Sequence, residues 1–254
     1  MNNVLMTHIY YGDPSEEFSV KLAQTLVAAG ADILEIGVPY SDPVCDGEVF
    51  QMACKRALQN GITPFNVLEG IKKIRKKGHS QKIYLTSYYA PIFKIGIGKF
   101  IGLAKQVGVD GLIVPDILLE EQTELRGFCD IYGLSLIQFV TVYSDRERLR
   151  QICRASSDFI YCISLPGVTG ENKLALSEVE GLIKLIKSMT SKSIYVGFGI
   201  KSAEDIKEII QIGADGIIVG SAIARIYEKN IFQPESTLAE ISAFVGKLKK
   251  GTIF

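Results

Sequence analysis

The chain has 254 residues, 47% of them apolar and 22% charged, which fits a globular protein and excludes a disordered one. Its 28 basic and 28 acidic residues cancel, so it carries no electrostatic footprint for nucleic acid or an anionic membrane. The low colloidal repulsion suits a chain that works in a complex.

The first apolar run of strand length is VLMTHI (4–9), followed by Asp13-Pro14 with Glu16 as a helix start and by Phe18, Leu22 and Leu26 at helical spacing. A second run, ILEIGV (33–38), precedes the start signal Thr63-Pro64, and IYL (83–85), LIV (112–114) and LIQFV (136–140) come next. Ser144 with Glu147 resembles a capping box before FIYCI (159–163), Ser177 with Glu180 another before IYV (194–196). Ser202 with Asp205 opens the helical stripe Ile206, Ile209 and Ile210, and IIV (217–219) is the eighth run. Strand and helix alternating eight times in about 250 residues predict an α/β fold, a (β/α)8 barrel, whose strands are buried on both faces and so read as continuous apolar runs. A doubly wound open sheet is the alternative. Three joints, GADILEIG (30–37), GVDGLIVP (108–115) and GADGIIVG (213–220), share a helix-stopping Gly and an Asp at the strand entry, as repeated units would. No linker or low-complexity tract divides the chain, so residues 1–254 are expected to form one barrel domain.

The start MNNVLMTHIYYGDP lacks the basic onset and long apolar core of a signal peptide, and no apolar run reaches membrane-spanning length. A soluble, cytoplasmic protein is expected. Cys45, Cys54, Cys129, Cys153 and Cys162 show no Cys-x-x-Cys pair and no histidine at metal-ligand spacing, so they read as reduced thiols and no metal site is expected.

Active sites of such barrels lie at the C-terminal ends of the strands. Alternation puts Ile33, Glu35 and Gly37 on one face of the second run, and only an inward face near the mouth would bring Glu35 to a substrate. A glutamate salt-bridged within the barrel core is the competing reading. Asp42 and Asp46 follow in the next loop, either as turn formers or as partners of Glu35, since carboxyls in different environments can divide acid and base roles. GVTG (167–170), GFG (197–199) and GSAIARI (220–226) supply glycines after the sixth, seventh and eighth runs. There barrels bind phosphate, with the N-terminus of a short extra helix, here 221–228. His79 sits in a basic polar stretch and reads as a solvated loop residue. His8, near the end of the first strand, either reaches the mouth or is a satisfied structural histidine. Cys45 has no evident histidine base beside it, which argues against a nucleophile.

LEIGVPYSDPVCDG (34–47) with Gln51, YGDP (11–14), YYAPIF (88–93), GLIVPD (111–116), GVTG, VGFGI (196–200) and VGSAI (219–223) together resemble the tryptophan synthase alpha subunit family, in family order and over nearly the whole chain. The resemblance implies a (β/α)8 barrel that cleaves indole-3-glycerol phosphate, in a retro-aldol step, to indole and glyceraldehyde 3-phosphate. It assigns Glu35 the protonation of indole C3 and handling of the glycerol hydroxyl proton, and Asp46 the indole N–H and the positive indolenine. Tyr161 would be the strand-six aromatic and Thr169 the loop-six threonine, with phosphate held by amides around Gly170, Gly199, Gly220 and Ser221. The resemblance further implies no cofactor in this chain and a beta-subunit partner that carries pyridoxal phosphate, in an alpha2beta2 heterotetramer. A barrel that mainly activates that partner is the second functional expectation, and another phosphate-binding barrel, such as an isomerase of the same pathway, the third. The chain departs from the family pattern at His8, where Phe is usual, and at Glu48, Ala90, Leu165 and Lys201. It also starts close to YGDP, so most of the family's short N-terminal helix is expected to be absent.

Overall fold

The computed structural model describes residues 3–163, 172–197, 199–231 and 233–253, and for 172–175 the backbone alone. In chain order the elements are β1 (Val4–Tyr10), α1 (Glu16–Ala28), β2 (Ile33–Gly37), α2 (Glu48–Gln59), α3 (Pro64–Lys76), β3 (Lys82–Thr86), α4 (Tyr89–Ile95), α5 (Ile97–Gln106), β4 (Gly111–Ile113) and α6 (Thr123–Tyr132). They continue with β5 (Ser135–Val140), α7 (Arg146–Ala155), β6 (Ile160–Ile163), α8 (Asn172–Lys187), β7 (Ile194–Gly197), α9 (Ala203–Gln211), β8 (Gly216–Val219), α10 (Ser221–Lys229) and α11 (Pro234–Lys250). All eight expected strands form within a residue or two of the sequence boundaries. Each pairs in parallel with the next, and β8 closes on β1, so the sheet is a barrel and not an open doubly wound sheet.

Strand alternation divides the core in two. Leu34 and Ile36 of β2 point outward into the layer between barrel and helices, while Met6, Ile33, Tyr84, Ile113, Ile137, Phe159, Tyr195 and Ile218 fill the barrel interior. The interior rings fit because glycines face them. A Cβ at Gly111 would come within 2.6 Å of Tyr84, one at Gly216 within 2.6 Å of Tyr195, and one at Gly197 within 2.9 Å of Tyr161.

The three repeated joints do the same physical work at the N-terminal end of the barrel. Gly30, Gly108 and Gly213 stop helices at φ of 107°, 91° and 106°, a region costly for side chains. Two residues on, the aspartate turns back to accept an amide from the first or second residue of a neighbouring strand: Asp32 from Leu5 (2.7 Å), Asp110 from Ile83 (2.8 Å) and Asp215 from Ile194 (2.9 Å). A cation from a helix completes each corner, Lys249 on Asp32, Arg75 on Asp110 and Lys187 on Asp215. Asp110→Ala is expected to cost about 1–3 kcal/mol, because the Ile83 amide and Arg75 lose an acceptor together. At about 2–4 °C per kcal/mol for a chain of this size, thermal unfolding should show a fall of some degrees, and an unchanged melting temperature would contradict the role.

Two of the five expected helix starts form as read. Thr63 with Asn66 and Ser202 with Asp205 both make reciprocal capping boxes. The others are displaced. Ser15, not Asp13, caps α1 by accepting the Phe18 amide at 3.1 Å, because Asp13 is fully buried against Arg56. Asp145, not Ser144, caps α7, its carboxylate accepting the Arg148 amide at 2.8 Å while Ser144 Oγ accepts from Thr141 in the preceding turn. Ser177 lies inside α8, which begins five residues earlier at Asn172. His79 is half-buried in the turn between α3 and β3, where its carbonyl accepts from Arg75. Cys54, Cys129, Cys153 and Cys162 are buried free thiols, and Cys45 is exposed. No helix among the described residues is long and apolar enough to cross a membrane.

Candidate active site

Glu35 points inward from β2 at the C-terminal end of the barrel and is 2% exposed. Its Oε1 accepts the Thr86 hydroxyl of β3 at 2.6 Å, and His8 Nδ1 of β1 lies 3.3 Å from the same oxygen. Glu35 Oε2 is buried with no hydrogen-bond partner, and so is His8 Nε2. Burial pushes the Glu35 carboxyl up to about 8, against the Thr86 hydrogen bond and with help from the Asp46 charge. Burial also pushes the His8 imidazole down to about 4, the Asp46 charge opposing it. At neutral pH the two groups therefore face each other uncharged. This disposes of the core salt bridge as an account of Glu35: among the described residues no lysine or arginine is within ion-pair distance of it.

Asp46 sits in the loop between β2 and α2, close enough for its charge to raise the Glu35 carboxyl. Its Oδ2 accepts the hydroxyls of Tyr10 and Tyr88, each at 2.7 Å. Both phenols are held well above their ordinary range, by burial first and then by the Asp46 carboxylate, so they remain donors. Tyr88 OH in turn accepts the Cys45 amide at 3.0 Å, and Gln51 Nε2 donates to the Asp46 carbonyl at 2.8 Å, which fixes the loop around the carboxylate. Among the described residues Oδ1 takes no side-chain hydrogen bond and is free for a donor on a ligand. Asp42 is exposed, and its carbonyl accepts the Val44 amide at 2.9 Å; it serves as a turn residue.

Aromatic rings wall the space between the two carboxyls. His8 packs against Phe50 (4.7 Å between ring centres) and Tyr10 (5.1 Å), and Tyr161 of β6 packs against Phe139 of β5 (4.9 Å). Tyr161 is half-buried among the barrel-interior side chains, and its hydroxyl titrates far above its ordinary value because it is buried and faces the charges of Glu35 and Asp46. Gly220 precedes α10, and a Cβ there would lie 2.6 Å from the Phe50 ring and 3.0 Å from His8, so a larger residue would displace these rings.

Among the described residues, those expected to hold an anion follow β7 and β8 and open α10. Gly197, the last residue of β7, pairs with Ile218 of β8, and Gly220 directly follows β8. Gly199 is exposed with open space where a Cβ would be. Ser221 opens the nine-residue helix α10, whose first amides precede the intrahelical hydrogen bonds and carry the positive end of the helix dipole. Thr169, Gly170 and Leu165 lie outside the described residues. Glu48 is the first residue of α2, an exposed position where a carboxylate suits the helix dipole, and Ala90 is exposed on α4.

Sequence reading missed Tyr10, Thr86, Tyr88 and Phe50. Tyr10 shares the inward parity of His8, and Thr86 and Tyr88 that of Tyr84, so extending the period-2 count past the apolar runs would have found three of them. Phe50 comes from a helix and carried no such signal.

A family model described as Tryptophan synthase alpha chain matches residues 1–253. The tryptophan synthase alpha chain of Methanoregula boonei is 38% identical over 239 residues, covering 94% of this chain and 90% of that one. The alpha chain of Methanocaldococcus jannaschii is 43% identical over 221 residues, 87% of this chain and 78% of that one. The crystal structure of tryptophan synthase subunit alpha from Legionella pneumophila superposes with a TM-score of 0.90 at 30% identity, covering 98% of this chain and 92% of that one. With a closed barrel and carboxyls at its mouth, and likeness along nearly its whole length, the chain belongs to the tryptophan synthase alpha chain family.

Proposed function

We propose that the chain cleaves indole-3-glycerol phosphate to indole and glyceraldehyde 3-phosphate, with Glu35 and Asp46 as its catalytic residues. The observation that carries this is the contrast between the two carboxyls: Glu35 is buried and held protonated at neutral pH, while Asp46 is oriented by two phenols. A neutral acid can protonate the ring carbon, and a fixed carboxylate across the pocket can accept the ring N–H and stabilise the cation formed when that carbon is protonated. Tyr161 would pack on the substrate, and the amides at Gly199, Gly220 and Ser221, with those of Thr169 and Gly170, would hold its phosphate. The reaction breaks a C–C bond by proton transfers alone, so these residues need no cofactor in this chain.

The partner in this reading is a beta subunit carrying pyridoxal phosphate, in an alpha2beta2 assembly that receives the indole. The loop that holds Asp46 supports it: Tyr40, Pro43, Val44, Met52 and Leu58 line an open groove beside that loop, with Val44 70% exposed. A ligand that orders Asp46 therefore acts directly on that surface. The barrel as activator of the beta subunit rests on the same contact and needs no turnover of its own. One assay separates them. With beta subunit and serine, tryptophan formed from indole-3-glycerol phosphate as well as from indole supports the lyase; stimulation with indole alone supports the activator; absence of stimulation with both substrates would refute the partnership. For the anion site, glycerol 3-phosphate is expected to slow amide exchange at 199–201 and 220–222, and unchanged exchange at saturation would count against it.

A further inference from the structure

We propose that His8 is the base of the cleavage, its Nε2 taking the proton of the hydroxyl on the carbon attached to the indole ring while Glu35 supplies the proton to the ring carbon. The inference rests on the lyase reading above and goes further by giving the two proton transfers to two residues. The hydrogen-bond count around Glu35 points to it. Oε1 already accepts Thr86 at 2.6 Å and has His8 Nδ1 at 3.3 Å, so the acid proton belongs on Oε2, the oxygen without a partner. Nδ1 faces Oε1 at 3.3 Å, and in the neutral tautomer with its proton on Nδ1 the imidazole has its lone pair on Nε2, an atom also buried without a partner. A buried acceptor with no donor is costly unless something arrives to satisfy it. Its position indicates what arrives. A Cβ at Gly37 would lie 3.1 Å from Nε2, and residue 37 shares Glu35's inward face one layer nearer the mouth. One neighbouring donor and one neighbouring acceptor thus stand buried and unpartnered below the barrel mouth. They match a substrate with a ring carbon to be protonated and a hydroxyl to be deprotonated on adjacent atoms. The charged or titratable groups facing this pair are Asp46, Tyr10 and Tyr161; the phenols stay protonated, and Asp46 already holds two of them or awaits the ring N–H.

The protons balance. Glu35 Oε2–H is given to the ring carbon, leaving a carboxylate and a cationic ring. The hydroxyl proton then goes to His8 Nε2, the C–C bond breaks as its O–H electrons form the aldehyde, and the bonding pair returns to the ring. Nδ1–H of the imidazolium passes to Glu35 Oε1, both residues leave the turnover neutral, and exchange with solvent restores their starting tautomers.

The test uses the full chain with His8→Phe, which keeps a ring between Phe50 and Tyr10, and His8→Asn, whose amide can still donate to Oε1 but offers no base. Two readouts are taken: release of indole from indole-3-glycerol phosphate, and exchange of the C3 proton of indole in D2O, which needs Glu35 but no hydroxyl base. Both variants are expected to lose 10²-fold or more in kcat for release, with KM and C3 exchange changed less than about threefold. Release within threefold of the parent in either folded variant would overturn the proposal, and so would parallel loss of release and exchange in both, which would leave His8 only as a support for Glu35. Absence of release by the unaltered protein, with and without a beta subunit, would instead overturn the lyase reading and this inference with it; circular dichroism and melting temperature establish which variants are folded.

Discussion

Replacing Glu35 by glutamine is expected to lower release of indole from indole-3-glycerol phosphate by about 10²–10⁴-fold, or about 3–5 kcal/mol of transition-state stabilisation, with the barrel intact. The amide keeps the shape and can still accept Thr86, so what disappears is the proton. The same substitution should change stability against pH in a direction that serves as an internal control. Glu35 titrates at about 8 in the fold against 4.5 for an ordinary glutamate. Between those values the unfolded chain has released a proton that the folded one keeps, so stability falls as pH rises, by about 1.4 kcal/mol per pH unit, until the carboxyl ionises. His8 works oppositely: at about 4 against 6.5, it adds stability as pH rises between those two values. The two slopes cancel between pH 4.5 and 6.5, and only Glu35's remains from there to 8. The Glu35→Gln protein should therefore gain on the parent as pH goes from 6.5 to 8, in urea unfolding at matched pH. A catalytic group that lowers stability at working pH, and whose loss raises it, is the expected mark of a carboxyl kept buried for its chemistry. Activity of the parent should fall above about pH 8, as Glu35 loses the proton it has to give. Full turnover in the variant, or parallel stability curves for the two proteins, would remove Glu35 from this role.

What could be read from sequence, and what could not, divides along the distance over which side chains act. Strand positions follow from apolar runs buried on both faces, a local property, and Glu35 stood out because a carboxyl inside such a run has no apolar reason to be there. Asp46 was recognisable from its motif, but its environment was not: the two phenols that hold it come from residues 36 and 42 positions away, brought in by barrel closure. The same holds for His8. Its place near the end of the first strand left two readings open, and only the register of β1 with β2, His8 beside Glu35, distinguishes a satisfied structural histidine from one with a free nitrogen over the acid. The displaced caps at Ser15 and Asp145 are a milder case. Neighbouring residues were both able to cap, and a distant arginine decided the first by claiming Asp13.

That arginine is the site of the last prediction. Arg56 of α2 donates to both oxygens of Asp13, at 2.7 and 2.9 Å, and to Glu228 of α10 at 2.9 Å. It thereby ties the loop after β1, where Asp13 is fully buried, to the helix whose N-terminus faces the expected phosphate. Burial raises the Asp13 carboxyl and Arg56 is the main influence that lowers it again. Arg56→Leu leaves the carboxylate buried without its cation and is expected to cost about 3–5 kcal/mol, the usual penalty for breaking such a pair from one side. At about 2–4 °C per kcal/mol, the melting temperature should drop by about 6–20 °C. With Arg56 gone the Asp13 pKa rises further. The loss should accordingly be largest at neutral pH and shrink as pH falls and Asp13 takes up a proton in both states. Adding Asp13→Asn removes the charge and should recover part of the loss, so the double-mutant cycle reports a coupling of 1 kcal/mol or more. Because Glu228 loses its anchor too, any assay run where the variant stays folded should show KM for the phosphorylated substrate rising more than kcat falls. A loss below about 1 kcal/mol, or a double variant no more stable than Arg56→Leu alone, would mean that Asp13 is carried by its surroundings and that Arg56 is a surface contact only.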